Sequence, residues 1–238
     1  MERNSLGKLF LIPTTLGDNE PLEVLPISIK RTIENIDYFI VENEKTARAF
    51  IKKISSKKSQ ANLNIEALNK FTEPELIPTF LQPCLDGKDV GVISEAGCPG
   101  IADPGADVVR IAHEKNIKVV PLVGPSSILL ALMASGLNGQ NFAFNGYLPI
   151  EASDRKSAIK KLERLSKETG QSQLFIETPY RNDKLFAELI KTVNPFTRIC
   201  VACDITLPTE YIATKTAKDW ANEKLDLHKR PTIFIIQA

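Results

Sequence analysis

Ser94-Glu95-Ala96-Gly97-Cys98-Pro99-Gly100-Ile101-Ala102-Asp103-Pro104-Gly105 is the stretch on which the reading of this chain turns. It follows the apolar run Val90, Val92, Ile93 and precedes Val108, Val109, Ile111 and Ala112, whose spacing is helical. Three glycines and two prolines thus stand where a strand hands over to a helix. Glycine lets the backbone approach a ligand or adopt positive φ, while proline fixes φ and removes a donor. The carboxyl end of a parallel strand is also where open α/β sheets place their ligands. The loop holds Glu95 and Asp103 but neither Lys nor Arg. It lacks the Gly-x-x-x-x-Gly-Lys-Ser/Thr phosphate cradle and the Gly-x-Gly-x-x-Gly dinucleotide spacing. A ligand without phosphate, and with positive charge, suits it better than a nucleotide.

Outward from the loop, strands at Lys8–Ile12, Tyr38–Val41, Val90–Ile93 and Lys118–Leu122 alternate with helical patterns. Leu25, Ile29, Ile33 and Ile36 recur at helical spacing, and Ala47, Phe50, Ile51 and Ile54 predict a helix over 44–55. Further helices are expected over 105–115 and 126–135, and the segment with Pro74, Pro78 and Pro83 reads as helical only in pieces. Such alternation implies crossover connections and a largely parallel sheet. After Ser135-Gly136-Leu137-Asn138-Gly139 the pattern restarts. Strands are expected at 142–147, 174–177, 198–204, 210–214 and 232–237, with helices at 156–167, 181–193 and around Trp220. The expected fold class is α/β, with two α/β domains over 1–137 and 138–238 and the small-molecule cleft between them.

Composition narrows the function classes. With 43% hydrophobic and 25% charged residues over 238 positions, this is the make-up of a soluble globular protein. A net charge of +1 offers no global field for nucleic acid, so any such contact rests on local patches. No apolar run approaches the roughly 18 residues of a membrane helix, and the polar start Met1-Glu2-Arg3-Asn4 is unlike a signal peptide. Cys200 and Cys203 lie in a strand-like run, where their odd offset sends them to opposite faces. A shared metal there is not expected, and the four cysteines fit a reduced, cytoplasmic protein.

Five segments carry a resemblance: Ile-Pro-Thr-Thr-Leu-Gly at 12–17, the 94–105 loop, Pro-Leu-Val-Gly-Pro-Ser at 121–126, Phe-Asn-Gly-Tyr-Leu-Pro at 144–149 and Glu-Thr-Pro-Tyr-Arg at 177–181. In this order they resemble the tetrapyrrole methylase superfamily, and within it the ribosomal RNA small-subunit methyltransferase I branch. The resemblance implies a homodimer of two-domain chains with S-adenosylmethionine bound in the cleft between domains. It assigns Pro13, Leu16, Gly17, Gly97, Cys98, Pro99, Ile101, Ser126 and Ser127 to the cofactor from the first domain. Thr178, Ala202 and Pro231 would hold it from the second. The sequence departs from the RNA branch at two places. Glu42-Asn43-Glu44-Lys45 stands where that branch reads Glu-Asp-Thr-Arg. Ala202-Cys203-Asp204-Ile205-Thr206-Leu207 replaces Arg-Glu-Leu-Thr-Lys and loses two basic residues.

Methyl transfer to a ribose 2′-hydroxyl of ribosomal RNA is the leading expectation. A small-molecule acceptor such as a tetrapyrrole, or a cofactor-binding protein without catalysis, stays open beside it. A hydroxyl acceptor benefits from a nearby proton acceptor, for which Glu42, Glu44, Asp103 and Glu177 are candidates at strand ends. Glu42, Glu177 and Arg181 are the expected catalytic residues, Arg181 toward the acceptor. Lys45 to Lys58 holds six basic residues and no acid, with Lys45, Arg48 and Lys52 on one helix face. Arg155, Lys156, Lys160, Lys161 and Arg164 make a second basic helix. Such stripes track phosphate backbones, or simply face water. Trp220 reads as core, and His113 and His228 as structural.

Overall fold

A computed structural model describes residues 5–238, so the polar start at 1–4 lies outside the described residues. Its contacts divide the chain into two units, one ending at Ser126 and the other running Ser127–Ala238. The division falls ahead of the expected 137/138 boundary because the helix that follows residue 126 packs on strands of the second unit.

In the first unit, β1 (Lys8–Ile12) leads to a short α1 (Pro21–Val24) and to α2 (Ile27–Asn35). β2 (Tyr38–Val41), α3 (Glu44–Ile54) and β3 (Asn64–Ala67) follow, then a 3-10 turn (Ile77–Leu81) running into α4 (Gln82–Leu85). β4 (Val90–Ile93), α5 (Gly105–Glu114) and β5 (Lys118–Pro121) complete it. The sheet order is β3-β2-β4-β1-β5 and every pairing is parallel. A parallel sheet needs cover on both faces, which explains the near-continuous apolar strands. Leu9, Ile40, Val90 and Val92 bury against Val108, Ile111 and Ala112 of α5. Ile12, Phe39, Val41 and Ile93 face Ile29 and Ile33 of α2 and Ile51 and Ile54 of α3. Each such side chain contributes roughly 1.5–3 kcal/mol when withdrawn from water. The Asn43 side chain caps α3 by accepting from the Lys45 and Thr46 amides at 2.9 and 3.3 Å.

The second unit opens with α6 (Ser127–Ser135), which packs on its strands. β6 (Phe142–Tyr147), α7 (Ala152–Thr169), β7 (Ser172–Ile176) and α8 (Asn182–Thr192) come next. β8 (Arg198–Cys203), β9 (Tyr211–Thr216), α9 (Ala217–Trp220) and β10 (Thr232–Gln237) close the chain. Its order is β6-β7-β10-β8-β9, with only β6–β7 parallel. Two short connections account for this: β8 and β9 join as a hairpin, and the α9 segment returns β10 between β7 and β8. Trp220 is core, as its apolar neighbours predict: its indole NH donates to Ile199 O at 2.9 Å and its ring meets Phe186 edge-on at 5.2 Å. Ile199, Val201 and Cys203 join this core while Cys200 and Ala202 point to the other sheet face.

Candidate functional site

Strand register decides which side chains share an edge of the first sheet. Ile12 pairs with Ile93, Ile93 with Val41, and Val41 with Ala67. The residues that follow, Pro13, Ser94, Glu42 and Leu68, therefore leave the sheet along one carboxyl edge. There the 94–105 loop is clasped to the end of β1. Thr14 N donates to Gly97 O at 3.0 Å and its hydroxyl to Ser94 O at 3.3 Å, while Ser94 Oγ donates to Gly97 O at 3.0 Å. Thr14 and Ser94 are both buried. Neither was visible from sequence, since a Thr–Ser clasp eighty residues apart leaves no periodic trace.

Close approach brings in the 121–126 segment. A Cβ at Gly124 would lie 2.3 Å from Pro13 Cβ and Cγ, so only glycine lets these chains touch. Gly97 holds a φ of +75°, with Leu16 Cδ2 and Pro125 O at 3.2 and 3.3 Å from an added Cβ. Cys98 Sγ donates to Pro125 O at 3.3 Å. Pro13, Leu16, Gly97 and Cys98 are thus gathered at one place. Gly17 accepts from Thr15 Oγ1 at 2.6 Å, Pro99 is buried, and Ile101 is exposed. Gly100 has a φ of +80° and nothing within 4 Å of an added Cβ. Asp103 Oδ1 closes the loop onto α5 by accepting the Gly100 and Gly105 amides, each at 2.8 Å.

Carboxylates line the same edge. Glu42 Oε1 accepts the Glu95 amide at 3.2 Å, and the Thr46 hydroxyl donates to Glu95 Oε1 at 2.6 Å. Burial pushes the Glu42 carboxyl above its ordinary value, and the charges of Asp103 and Glu95 push it further, against the pull of the Glu95 amide. Burial raises Asp103 as well, opposed by its two amide partners. Beside these acids opens a cavity of about 790 Å³ at the ends of β2, β3 and β4, with Glu42, Phe71, Glu95, Pro104 and Arg110 in its wall. Its β3 side was not predicted, because Asn64-Ile65-Glu66-Ala67 offers a single large apolar residue. Glu44 turns instead to Arg48, at 2.8 Å on the surface of α3.

In the second unit, Ile176 and Ala202 both pair with Ile233, which places Thr178, Asp204 and Pro231 along one sheet edge. Ala202 is fully buried, and Pro231 O accepts the Asp204 amide at 3.0 Å. Asp204 Oδ2 accepts from Arg230 Nε at 2.7 Å and Thr209 Oγ1 at 2.9 Å, so the acid of the altered 202–207 stretch is held by a basic partner in its own unit. Glu177 is buried and accepts from Arg181 Nη2 at 2.6 Å, while Arg181 Nε donates to Thr178 Oγ1 at 3.2 Å. Ser126 ends the first unit, and Ser127 opens α6.

The basic stripes are partly spoken for. Arg155 is not on a wet face: it is buried, with two nitrogens on Glu188 Oε2 at 2.8 and 2.6 Å and a third on the Pro149 and Ile150 carbonyls. Arg48 reaches Gln60 O, Lys53 reaches Asp18, and Lys58 reaches Asp37. No three His, Cys, Asp or Glu among the described residues are placed to hold a metal, and no described helix is long and apolar enough to cross a membrane.

The first edge fits S-adenosylmethionine by its chemistry. Carbonyls, carboxylates and open backbone at Gly100 suit sulfonium and ammonium charge, and the loop offers no cation to a phosphate. Comparison with known proteins supplies the family. Residues 9–221 match the Tetrapyrrole (Corrin/Porphyrin) Methylases. A protein of Buchnera aphidicola subsp. Schizaphis graminum named ribosomal RNA small subunit methyltransferase I is 28% identical over 98% of this chain and 79% of its own length. Its namesake from Escherichia coli O157:H7 is 24% identical over 99% of this chain and 79% of its own. Solved structures that share the fold include two methyltransferases. Cobalt precorrin-4 methyltransferase CbiF has 17% identity and a TM-score of 0.64, covering 100% of this chain and 97% of its own. The methyltransferase CobJ has 15% identity and a TM-score of 0.63, covering 97% and 94%. With the match running from β1 through Trp220, this chain belongs to the tetrapyrrole methylases and is a methyltransferase whose donor is S-adenosylmethionine.

Proposed function

We propose that this chain methylates a ribose 2′-hydroxyl of small-subunit ribosomal RNA. The observation that carries the reading is similarity along nearly the whole chain to proteins named for that ribosomal RNA. The acid-walled cavity beside the glycine loop supports it, since Glu42 and Glu95 would repel the carboxylate-bearing periphery of a tetrapyrrole. S-adenosylmethionine supplies an activated methyl group when bound. Pro13, Leu16, Gly17, Gly97, Cys98, Pro99, Ile101 and Ser126 of the first unit would hold it. The protein's part is to align the acceptor and exclude water. Glu42, made more basic by burial, receives the hydroxyl proton in its carboxylate form as the methyl group leaves the sulfonium for the hydroxyl oxygen. Lys45, Lys52 and the exposed basic residues Lys156, Lys160, Lys161 and Arg164 of α7 supply phosphate contacts. The cysteines are free, in keeping with a reducing cytoplasm, and two copies associate as a homodimer.

Incubation with methyl-labelled S-adenosylmethionine and small-subunit particles tests the reading: label enters RNA. Charge reversal at Lys45 and Lys52 flattens the salt dependence of RNA binding. Label confined to a small-molecule fraction of cell extract overturns the RNA assignment. No label in either fraction, with cofactor still bound, leaves a binding protein without catalysis.

A further inference from the structure

The 790 Å³ cavity has a wall that donor chemistry does not explain. Phe71 stands there 79% exposed, at the tip of the turn that follows β3. That turn is built rather than loose. Asn69 Oδ1 accepts the Phe71 amide at 2.9 Å, and Asn69 O accepts the Thr72 amide at 2.9 Å. Thr72 Oγ1 accepts the Asn69 amide and donates to Ala67 O, each at 3.0 Å. The ring is therefore presented to water by a fixed backbone, with Lys70 Nζ 4.9 Å from its centroid.

Resting on the RNA reading above, we propose that this cavity receives a single nucleotide turned out of its RNA, its base stacked on Phe71, an exocyclic amino group facing Glu95 and its ribose toward Glu42. Stacking on an aromatic ring is how proteins hold unpaired bases, and a cation at the ring serves the attached phosphate. Carboxylates accept from amino groups such as those of cytosine and adenine, whereas the carbonyl edge of uracil meets them acceptor to acceptor. The walls carry Glu42, Glu95 and Asp107 against Lys70 and Arg110, and Arg110 is already paired with Glu114 at 2.6 Å. A polycarboxylate seated whole in the cavity is poorly matched to that balance; a neutral base with one flanking phosphate is well matched. Glu95 and Pro104 belong both to the cavity wall and to the glycine loop, so a nucleotide seated here lies against the donor loop.

Fluorescence anisotropy of labelled hexanucleotides of cytidine, adenosine and uridine on the full chain tests this. The cytidine and adenosine oligomers bind at least about fivefold more tightly than the uridine oligomer. Phe71→Ala weakens both by about tenfold, Phe71→Trp restores them, and Glu95→Gln narrows the preference over uridine. Equal binding of all three oligomers, or an alanine variant that binds as the parent does, overturns the assignment. Methyl transfer to small-subunit particles separates the two readings. Label in RNA with Phe71→Ala at the parent kcat/KM overturns the nucleotide pocket alone, and no label in RNA from the parent chain removes the RNA reading beneath it.

Discussion

Glu177 is the buried member of its pair with Arg181, at 3% side-chain exposure against 38%, and that asymmetry separates what each does. Removing the arginine leaves a buried carboxylate with one fewer donor, a loss of about 1–3 kcal/mol once the wet half of the pair is discounted. Arg181→Ala is expected to lower the thermal midpoint by several degrees, with Arg181→Lys in between. An unchanged midpoint with methyl transfer down about a hundredfold would instead make Arg181 an acceptor contact. Glu42 carries the opposite sign. Its native carboxyl is raised, by burial first and then by Asp103 and Glu95, so the folded chain holds this proton more tightly than the unfolded one. The resulting stability is full below the ordinary value of 4.5 and is lost as pH rises through the higher native value. Glu42→Gln should therefore stabilise the chain at pH 8, by no more than about 1 kcal/mol since the group is only partly buried, and leave its stability unchanged at pH 4. Melting curves at the two pH values decide it.

At the scale of elements, the close contact between the 121–126 segment and the end of β1 is the most demanding feature. Gly124→Ala must part Gly124 from Pro13, which lies 2.3 Å from the new Cβ. Displacements of that order misplace bound ligands, and affinity for S-adenosylhomocysteine should fall at least tenfold by calorimetry. Gly100→Ala meets no protein atom and carries only the strain of positive φ, about 1 kcal/mol. A larger loss of affinity there than of stability would show backbone approach to the ligand at Gly100. Elements such as α2, α3 and α5 were legible because each buries one stripe, Ile29 and Ile33, Ala47 and Ile51, Val108 and Ile111. β3 was not, because an edge strand of four residues needs only Ile65 to face inward. The glycine loop announced itself through backbone chemistry. Its hydroxyl clasp did not, nor did the burial of Arg155, whose partner Glu188 lies on another helix.

For the whole molecule, the exposed apolar residues Leu129 and Met133 of α6, 50% and 78% accessible, are where the proposed homodimer is expected to form. Met133→Glu should shift sedimentation from two copies to one while leaving the melting curve of the chain nearly in place. An unaltered sedimentation coefficient would put the association elsewhere. The strand order also governs how the chain is made. β1 is the first strand to be synthesised, yet Leu9 finds its neighbours only at Val90 and Val119. Pairings so distant in sequence are slow to form and cannot begin before both partners have been translated. Until then β1 has two open edges and nothing to lie between. A nascent chain halted just after Gly105 would contain every residue of the glycine loop and the Thr14 that clasps it, but not the strand that completes the sheet around β1. Ligand affinity should therefore arise no earlier than the emergence of β5, well after the loop itself has been made.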